Sequence, residues 1–568
     1  MTTGKPYSGP RGLVFGIDVG TTYSGISYSI LEPGQVPQIH QITRFPGQQD
    51  VGGDSKIPTA IYYDLGGIIR AEGAETMLAA CVEQAEEDGW EHAQWFKLHL
   101  RPTVSGPELP PLPHRKTATS VLADFLRYLF ECAKKFIRET HTEALWASLK
   151  HNIQFVMAHP NGWQGKQQSQ MRDAAVVAGL IPHSDAGHQR LRFVTEGEAS
   201  LHFCIRNGLG TQAIDSGKGV VVVDAGGGTI DLSSYRQIQR SDGYKEYEEI
   251  APAQCLFQGS IYVTQRAREY VEGNTKYAAD IDHIAQIFDT SAKLSFRGEE
   301  FAFVKFGTKR DQDPKLNIRN GQLKIPGSDV KKLFEPSISA VVDAVREQCI
   351  SAVGGSATVS SVFLVGGFAA NDWLFSELKS RLESLTRLDV TRPDARLNKA
   401  VADGAVSFYI DHHVSVRVAR FTYGMKCSEP YNAMNNEHLT RLVSRYQGVS
   451  GEWLIPGRFS AILNRKMQVR ETKEFRESYN RRSSNLALLD HFSTELYIYT
   501  GGGDPQWLDV DPVCRIEANT SGLTKYPTYR PKVPNSTYYE LKFDVILSFG
   551  LTELKAQIAW VENGVEKR

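Results

Sequence analysis

The apolar positions of this chain follow two different arrangements, and the change between them falls near residue 413. Before that point, unbroken apolar runs alternate with stretches of helical period. Leu13-Val14-Phe15, the segment 152–158, Leu191-Arg192-Phe193-Val194, the four valines 220–223 and the run 362–365 read as buried strands. Residues 57–63 read as one strand entered through Pro58. The segment 120–140 sets Val121, Leu122, Phe125, Leu126, Leu129, Phe130, Phe136 and Ile137 at helical spacing, with Lys and Arg late in the run, and predicts a core helix. Further helices are expected at 167–180, 261–271 and 395–409, and at 328–353 with Ser328 as its N-cap and Pro336 kinking or breaking it. After residue 413 the period falls to two, at 495–499, 514–518, 538–549 and 554–560, with turns at 501–504 and at Glu562-Asn563-Gly564. The pattern predicts an α/β part followed by a mainly β part of roughly 150 residues, an ordinary domain size.

Two of the strand-turn-strand units repeat one chemistry. In GIDVGTTYSG, Asp18 ends the first strand, Gly20 opens the turn, and Thr21, Thr22 and Tyr23 line it. In VVVVDAGGGTIDLSSY, Asp224, Gly226, Gly227, Gly228, Thr229 and Asp231 repeat the arrangement. Glycine lets backbone approach a ligand closely, and successive turn amides point at an anion. Hydroxyls add donors, and strand-end carboxylates hold water around a divalent metal. A plain hairpin needs one glycine; the same Asp, Gly and Thr set occurring twice fits a phosphate tail gripped from both sides. A third stretch, VFLVGGFAANDWLFSEL, reads as a strand, a Gly366-Gly367 turn and a helix capped near Asn371. Its glycines let the backbone run flat against a planar ring.

Taken together, Asp-x-Gly-Thr-Thr-Tyr, Asp-x-Gly-Gly-Gly-Thr-x-Asp and Val-Gly-Gly resemble the nucleotide site of the heat shock protein 70 family, in the superfamily of actin and the sugar kinases. The resemblance covers roughly residues 13–410. It implies an α/β, two-lobed, actin-like ATPase with duplicated ribonuclease H-like lobes, followed by a mainly β C-terminal domain. The implied organisation is a flexible tail at 1–11 and an ATPase domain at 12–412. Lobe I spans about 12–212 plus 396–412, with a peripheral insert at 47–116, and lobe II about 213–395. Residues 413–568 are substrate-domain-like but lack a helical lid, which is similar to the divergent class-12 branch.

The resemblance also assigns roles. Lys97, in AQWFKLHL, matches the active-site lysine, whereas the residues alone also allow a surface lysine with a snorkelling stem. Glu196 matches the glutamate that orients metal-bound water and senses the γ-phosphate. Asp18, Glu196 and Asp224 are expected to hold Mg²⁺ through water. Lys97, Glu196, Asp224, Thr229 and Asp231 form the expected catalytic set. Gly20, Thr21, Thr22, Tyr23, Gly226, Gly227, Gly228 and Gly259 are the expected phosphate contacts; Lys293, Ser295, Gly366, Gly367 and Phe368 are the expected nucleoside contacts. Pro160 matches the proline through which the family relays its ATP state. The chain departs from the family at several points. His159 replaces a valine and is expected to be hydrogen-bonded; Gly197 replaces a proline; and Gln258-Gly259-Ser260 keeps one glycine of a pair. Two adenine-stacking arginines align with Leu294 and Ala370, although a shifted register brings Arg297 into play. Glu198 is expected to be solvated.

The 568 residues carry a net charge of −1, so no field favours nucleic acid or an anionic membrane. The N-terminus, MTTGKPYSGPRG, has no apolar signal core, and the longest apolar runs fall far short of a ~20-residue span. The seven cysteines form no Cys-x-x-Cys and read as buried thiols in a reducing compartment, cytoplasmic or nuclear. The expected ligands are ATP or ADP with Mg²⁺, and the expected partners a client polypeptide or co-chaperone, with no nucleic acid and no membrane. The leading functional expectation is a slow ATPase coupling nucleotide state to the β domain, as a divergent chaperone or regulatory switch. Two alternatives stay open: a nucleotide-sensing pseudo-ATPase scaffold, and a small-molecule kinase of the same superfamily.

Overall fold

The unbroken apolar runs become strands buried on both faces, as expected where helices cover a sheet from either side. The computed structural model describes residues 5–50, 56–102, 109–208, 217–239, 245–272, 280–352, 358–393, 399–501, 507, 511–529, 537–550 and 553–568. Part of the expected N-terminal tail, residues 395–398 and the 502–504 turn lie outside the described residues. The chain forms two compact units, Met1–Val414 and Ser415–Arg568.

In the first unit, β1 (Gly12–Val19) and β2 (Tyr23–Leu31) form a hairpin in which Asp18 faces Gly25. On its other edge β1 pairs in parallel with β3 (Ile153–His159), which pairs in parallel with β4 (Leu191–Thr195). The pattern then repeats. β5 (Gly219–Ala225) and β6 (Ile230–Gln239) form a hairpin in which Asp224 faces Asp231, and β7 (Lys245–Leu256) extends it. β5 pairs in parallel with β8 (Val359–Val365), and β8 with β9 (Asp389–Thr391). Each lobe therefore has an antiparallel hairpin followed by parallel strands, the duplicated α/β architecture expected of an actin-like ATPase, and each has its own hydrophobic core.

The helices are α1 (Ala118–Thr140), α2 (Gly165–Val177) and α3 (Glu196–Arg206) in the first lobe. The second holds α4 (Ser260–Glu272), α5 (Gly327–Ser351) and α6 (Asp372–Thr386), and α7 (Ala400–Asp411) returns to pack on α3 and β1. Thr117 and Ser120 cap α1 reciprocally, and Asn371 caps α6 by accepting from the Leu374 N–H.

Two elements depart from the sequence expectation. Residues 57–63 are not one strand. Ile57–Pro58 pairs with β2, while Ala60–Tyr63 joins the small sheet of the insert. The chain changes sheets at buried Thr59, whose N–H donates to the Thr22 carbonyl at 2.8 Å. In α5, Pro326 and not Ser328 occupies the N-cap, and Pro336 lies within the helix without ending it. Arg266 from α4 supports that turn, donating to the Leu333 carbonyl at 2.6 Å and to Ser337 Oγ at 2.9 Å.

The second unit holds two antiparallel sheets. One orders β11 (Trp453–Leu463), β10 (Thr422–Pro430), β13 (His491–Tyr499) and β14 (Asp511–Asn519); the other orders β12 (Glu474–Ser483), β15 (Thr537–Gly550) and β16 (Glu553–Glu562). They share a core that includes Met425, Leu496, Phe543 and Val545. The alternation had marked only four of these strands. β12, EFRESYNRRS, hides its period because the face that carries Phe475 and Tyr479 also carries Glu477, Arg481 and Ser483. Among the described residues, the longest helix of this unit is Asn436–Thr440, and no helix of the chain is long and apolar enough to cross a membrane.

Cutting the chain after Val414 tests this division. Each piece, expressed alone, is expected to show a cooperative melting transition in circular dichroism. A piece that stays soluble but melts without cooperativity would place part of its core in the other unit.

Candidate functional site

The two hairpin turns of the first unit meet. A Cβ on Gly228 would fall 2.3 Å from Thr21 Oγ1, and one on Gly227 would fall 2.2 Å from Thr22 Oγ1. Only glycine allows this approach, which brings two hydroxyls against a turn free of side chains. The segment after β7 fixes that turn from behind. The Gly259 N–H donates to the Gly228 carbonyl at 3.3 Å, Ser260 to Gly226 at 3.1 Å and Ile261 to Gly227 at 3.0 Å. The first amides of α4 thus hold the turn in place, and the Gly226 N–H closes it on the Thr229 carbonyl at 2.9 Å. Gly20 opens the opposing turn, and half-exposed Tyr23 begins β2.

Beneath the turns lies a dense set of buried charges. Lys97 sits in a short 3₁₀ turn, Phe96–Leu100, and is only 4% exposed, so it is not a surface lysine. It donates to Glu196 Oε1 at 2.6 Å, and its ammonium lies 5.5 Å from the Trp163 ring centre. Glu196 opens α3, where the helix dipole favours a carboxylate. Asp18 is bonded by Lys56 at 2.7 Å, and Asp224 by the Ser200 hydroxyl at 2.7 Å. Asp231 Oδ1 accepts the Asn161 N–H at 2.6 Å; Oδ2 is buried and has no hydrogen-bond partner among the described residues.

These groups set one another's charge. Burial pushes Asp224 up to about 7, helped by the neighbouring Glu196 and Asp18 carboxylates. Burial, then Glu196, holds Asp231 well above the usual carboxylate range. For Lys97, burial opposes the charge, but Glu196, Asp18 and Asp231 outweigh it and the net shift is upward. Among the described residues no three ligating side chains converge closely enough to bind a metal directly. Asp18, Glu196 and Asp224 place three carboxylates, oxygen groups of the kind a divalent cation takes, near one another, and the side-chain-free turn has the form that receives an anion.

The nucleoside side is arranged differently. Gly366 adopts φ +92°, and a Cβ there would fall 2.4 Å from Asp224 Oδ1, so this turn packs directly on the carboxylate. Gly367 is exposed, whereas the Phe368 ring packs in the lobe II core against Phe334. Lys293 is buried and bonded to Asp289, to Thr264 Oγ1 at 3.1 Å and to the Ser260 carbonyl at 3.3 Å. Ser295 is exposed and donates to the Ser291 carbonyl of its own helix at 3.0 Å. Leu294 is 60% exposed, and Ala370 is exposed as well. Arg297 and Arg392 both bond Asp372, and Arg392 also reaches the Ala370 carbonyl at 3.4 Å. Glu198, expected in solvent, is buried in the first turn of α3, where the dipole and a Thr195 cap support it. His159 is hydrogen-bonded as expected, to the Pro160 carbonyl at 2.9 Å and to Gln168 at 3.0 Å.

The chain is similar to three known proteins over most of its length. Heat shock 70 kDa protein 12A of Mus musculus is 22% identical over 648 aligned positions, covering 96% of this chain and 89% of that protein. Heat shock 70 kDa protein 12A of Homo sapiens is 23% identical, covering 73% and 72%, and heat shock 70 kDa protein 12B of Homo sapiens is 22% identical, covering 74% and 72%. The chain is heat shock 70-like, with its similarity lying toward the class-12 branch. No protein-family model matches it.

Within this heat shock 70-like chain, sequence reasoning missed four contributors: Lys56, Asn161, Trp163 and Ser200. Ser200 was accessible, since it lies four residues after Glu196 on one helix face. Lys56 stands alone in a loop, and no local pattern connects it to Asp18.

Asp224 makes stability depend on pH. A carboxyl raised from about 3.9 in the unfolded chain to about 7 in the fold contributes stability below pH 4 that is lost as pH rises through 7. Asparagine mimics the protonated form and can still accept from Ser200. Asp224→Asn is therefore expected to raise the melting temperature of nucleotide-free protein by a few degrees at pH 8, with the gain vanishing near pH 4. Melting curves across that range check it; equal pH dependence in both proteins would remove Asp224 from the buried charge set.

Proposed function

We propose that the first unit binds ATP with Mg²⁺ between its lobes and hydrolyses it slowly, as a heat shock 70-like ATPase. The observation that carries this reading is the contact of the Thr21–Thr22 turn with Gly227–Gly228, with the buried Lys97–Glu196 pair close to the Asp18 carboxylate that precedes the first turn. Thr21, Thr22 and the Gly226–Thr229 turn donate to phosphate oxygens. Asp18, Glu196 and Asp224 would hold Mg²⁺ through water, and the ion would supply positive charge to the phosphate chain. Lys97 places its ammonium against charge developing on the γ-phosphoryl oxygens, and Asp231 Oδ2 offers an acceptor to the attacking water. The work is positioning and charge stabilisation. Leu294 and Ala370 in place of planar cations support a weak preference for adenine over guanine.

The C-terminal β unit is the partner-binding part in this reading. A groove lined by Tyr446, Leu454, Tyr479 and Trp560, with Arg482 and Glu540 at hand, suits a polypeptide with both apolar and charged side chains. A second reading, binding without turnover, is favoured by one observation: Glu196 already neutralises Lys97 at 2.6 Å.

Lys97→Ala separates the two. ATP·Mg²⁺ is expected to raise the melting temperature of both wild type and variant by mass action, while single-turnover hydrolysis in the variant falls roughly 10²-fold or more. A variant rate within about twofold of wild type would take Lys97 out of the chemistry. Wild type that binds without any turnover would establish the sensor reading instead.

A further inference from the structure

Pro160 follows β3, and the next residue, Asn161, is buried among hydrogen-bond partners from both lobes. Its backbone N–H donates to Asp231 Oδ1 at 2.6 Å. Its side-chain NH₂ faces the Leu232 carbonyl at 3.0 Å, Ser233 Oγ at 3.0 Å and the Gln254 carbonyl at 3.2 Å, so two hydrogens serve three oxygens on β6 and β7. Its Oδ1 accepts the Gly197 N–H at 3.3 Å, in the first turn of α3. The opposite amide orientation would set NH₂ against that N–H and oxygen against two carbonyls, so the partners fix the side chain.

The Gly197 N–H is one of the donors that a helix start leaves without an intrahelical acceptor. Thr195 Oγ1 takes the next donor, from Glu198, at 3.2 Å. A proline at 197 would have no N–H to offer. The missing side chain matters equally: a Cβ at 197 would fall 2.4 Å from Ser233 Oγ and 3.1 Å from the Asn161 amide. Asn161, Gly197 and Ser233 thus form one interlocked contact between the lobes. At its edges stand Glu196, which holds Lys97, and Asp231, which lies two residues before Ser233.

We propose that Asn161 is a positioning residue that clasps the lobes and holds Glu196 and Asp231 in one frame, so that lobe separation and loss of the hydrolytic geometry are the same event. The role in hydrolysis rests on the nucleotide-site reading; the clasp itself does not. Asn161→Ala removes the amide but keeps the backbone N–H that meets Asp231. Gly197→Ala drives a methyl into Ser233 Oγ, and Ser233→Ala removes the atom it strikes.

Two readouts on the full chain decide the matter. Amide hydrogen exchange on nucleotide-free protein is expected to speed up at Gly197 by ~10-fold or more in Asn161→Ala, the scale of one buried hydrogen bond. Single-turnover ATP hydrolysis is expected to slow by a similar ~10-fold while ATP·Mg²⁺ affinity changes by less than about threefold. Gly197→Ala should show the same loss, and adding Ser233→Ala should restore much of the rate. Unchanged exchange at Gly197 overturns the clasp. A lower melting temperature with turnover intact reduces Asn161 to a structural role and overturns the positioning claim. If wild type neither binds nor hydrolyses ATP, the nucleotide reading fails, and exchange at Gly197 alone judges the clasp.

Discussion

Two turns from separate sheets approach so closely that the threonines of one leave no room for any side chain on the facing glycines of the other, and the rest of the first unit is arranged to make that approach possible. Thr21 and Thr22 fill the space that Cβ atoms at Gly228 and Gly227 would need. For the turns to meet, both hairpins must end at the same level. The parallel strands beside each hairpin set that level, and α4 locks the second turn with its first amides. A Cβ at either glycine would meet a threonine side chain well inside van der Waals contact, so the contact cannot keep its present form with alanine there.

The closeness has an electrostatic cost. Four carboxylates, Asp18, Glu196, Asp224 and Asp231, share a largely dry space with two lysines, Lys56 and Lys97. Asp224 and Asp231 even stand opposite each other across one hairpin, an arrangement that repels when both are charged. The fold answers with Ser200 and Asn161 as donors and by raising the proton affinity of both carboxyls. A site tuned for stability alone would replace some of these charges; their retention fits a site completed by a cation and a phosphate chain.

Much of this was legible in the sequence because the chemistry is written in turns. Asp, Gly and Thr spacing located both hairpins, and apolar runs located the parallel strands beside them. The remainder depends on tertiary placement. Lys97 carries no local mark of burial; it became internal because Phe96, Leu98 and Leu100 carry its short turn into the core. Glu198 read as a solvated charge, yet the helix start it occupies is packed inside. Asn161 carried no signal at all, since its partners come from β6, β7 and α3. In the second unit, β12 lost its period-two signature because Glu477, Arg481 and Ser483 share the face of Phe475 and Tyr479.

The central claim is that the opposed turns and the carboxylates beneath them form one magnesium-dependent nucleotide site. Calorimetric titration of the full chain with ATP, with Mg²⁺ present and then chelated, tests it most directly. The account predicts saturable binding at one site per chain, weakened by ~10-fold or more when the metal is removed. Absence of saturable binding at millimolar ATP·Mg²⁺, or an affinity indifferent to the metal, would contradict it.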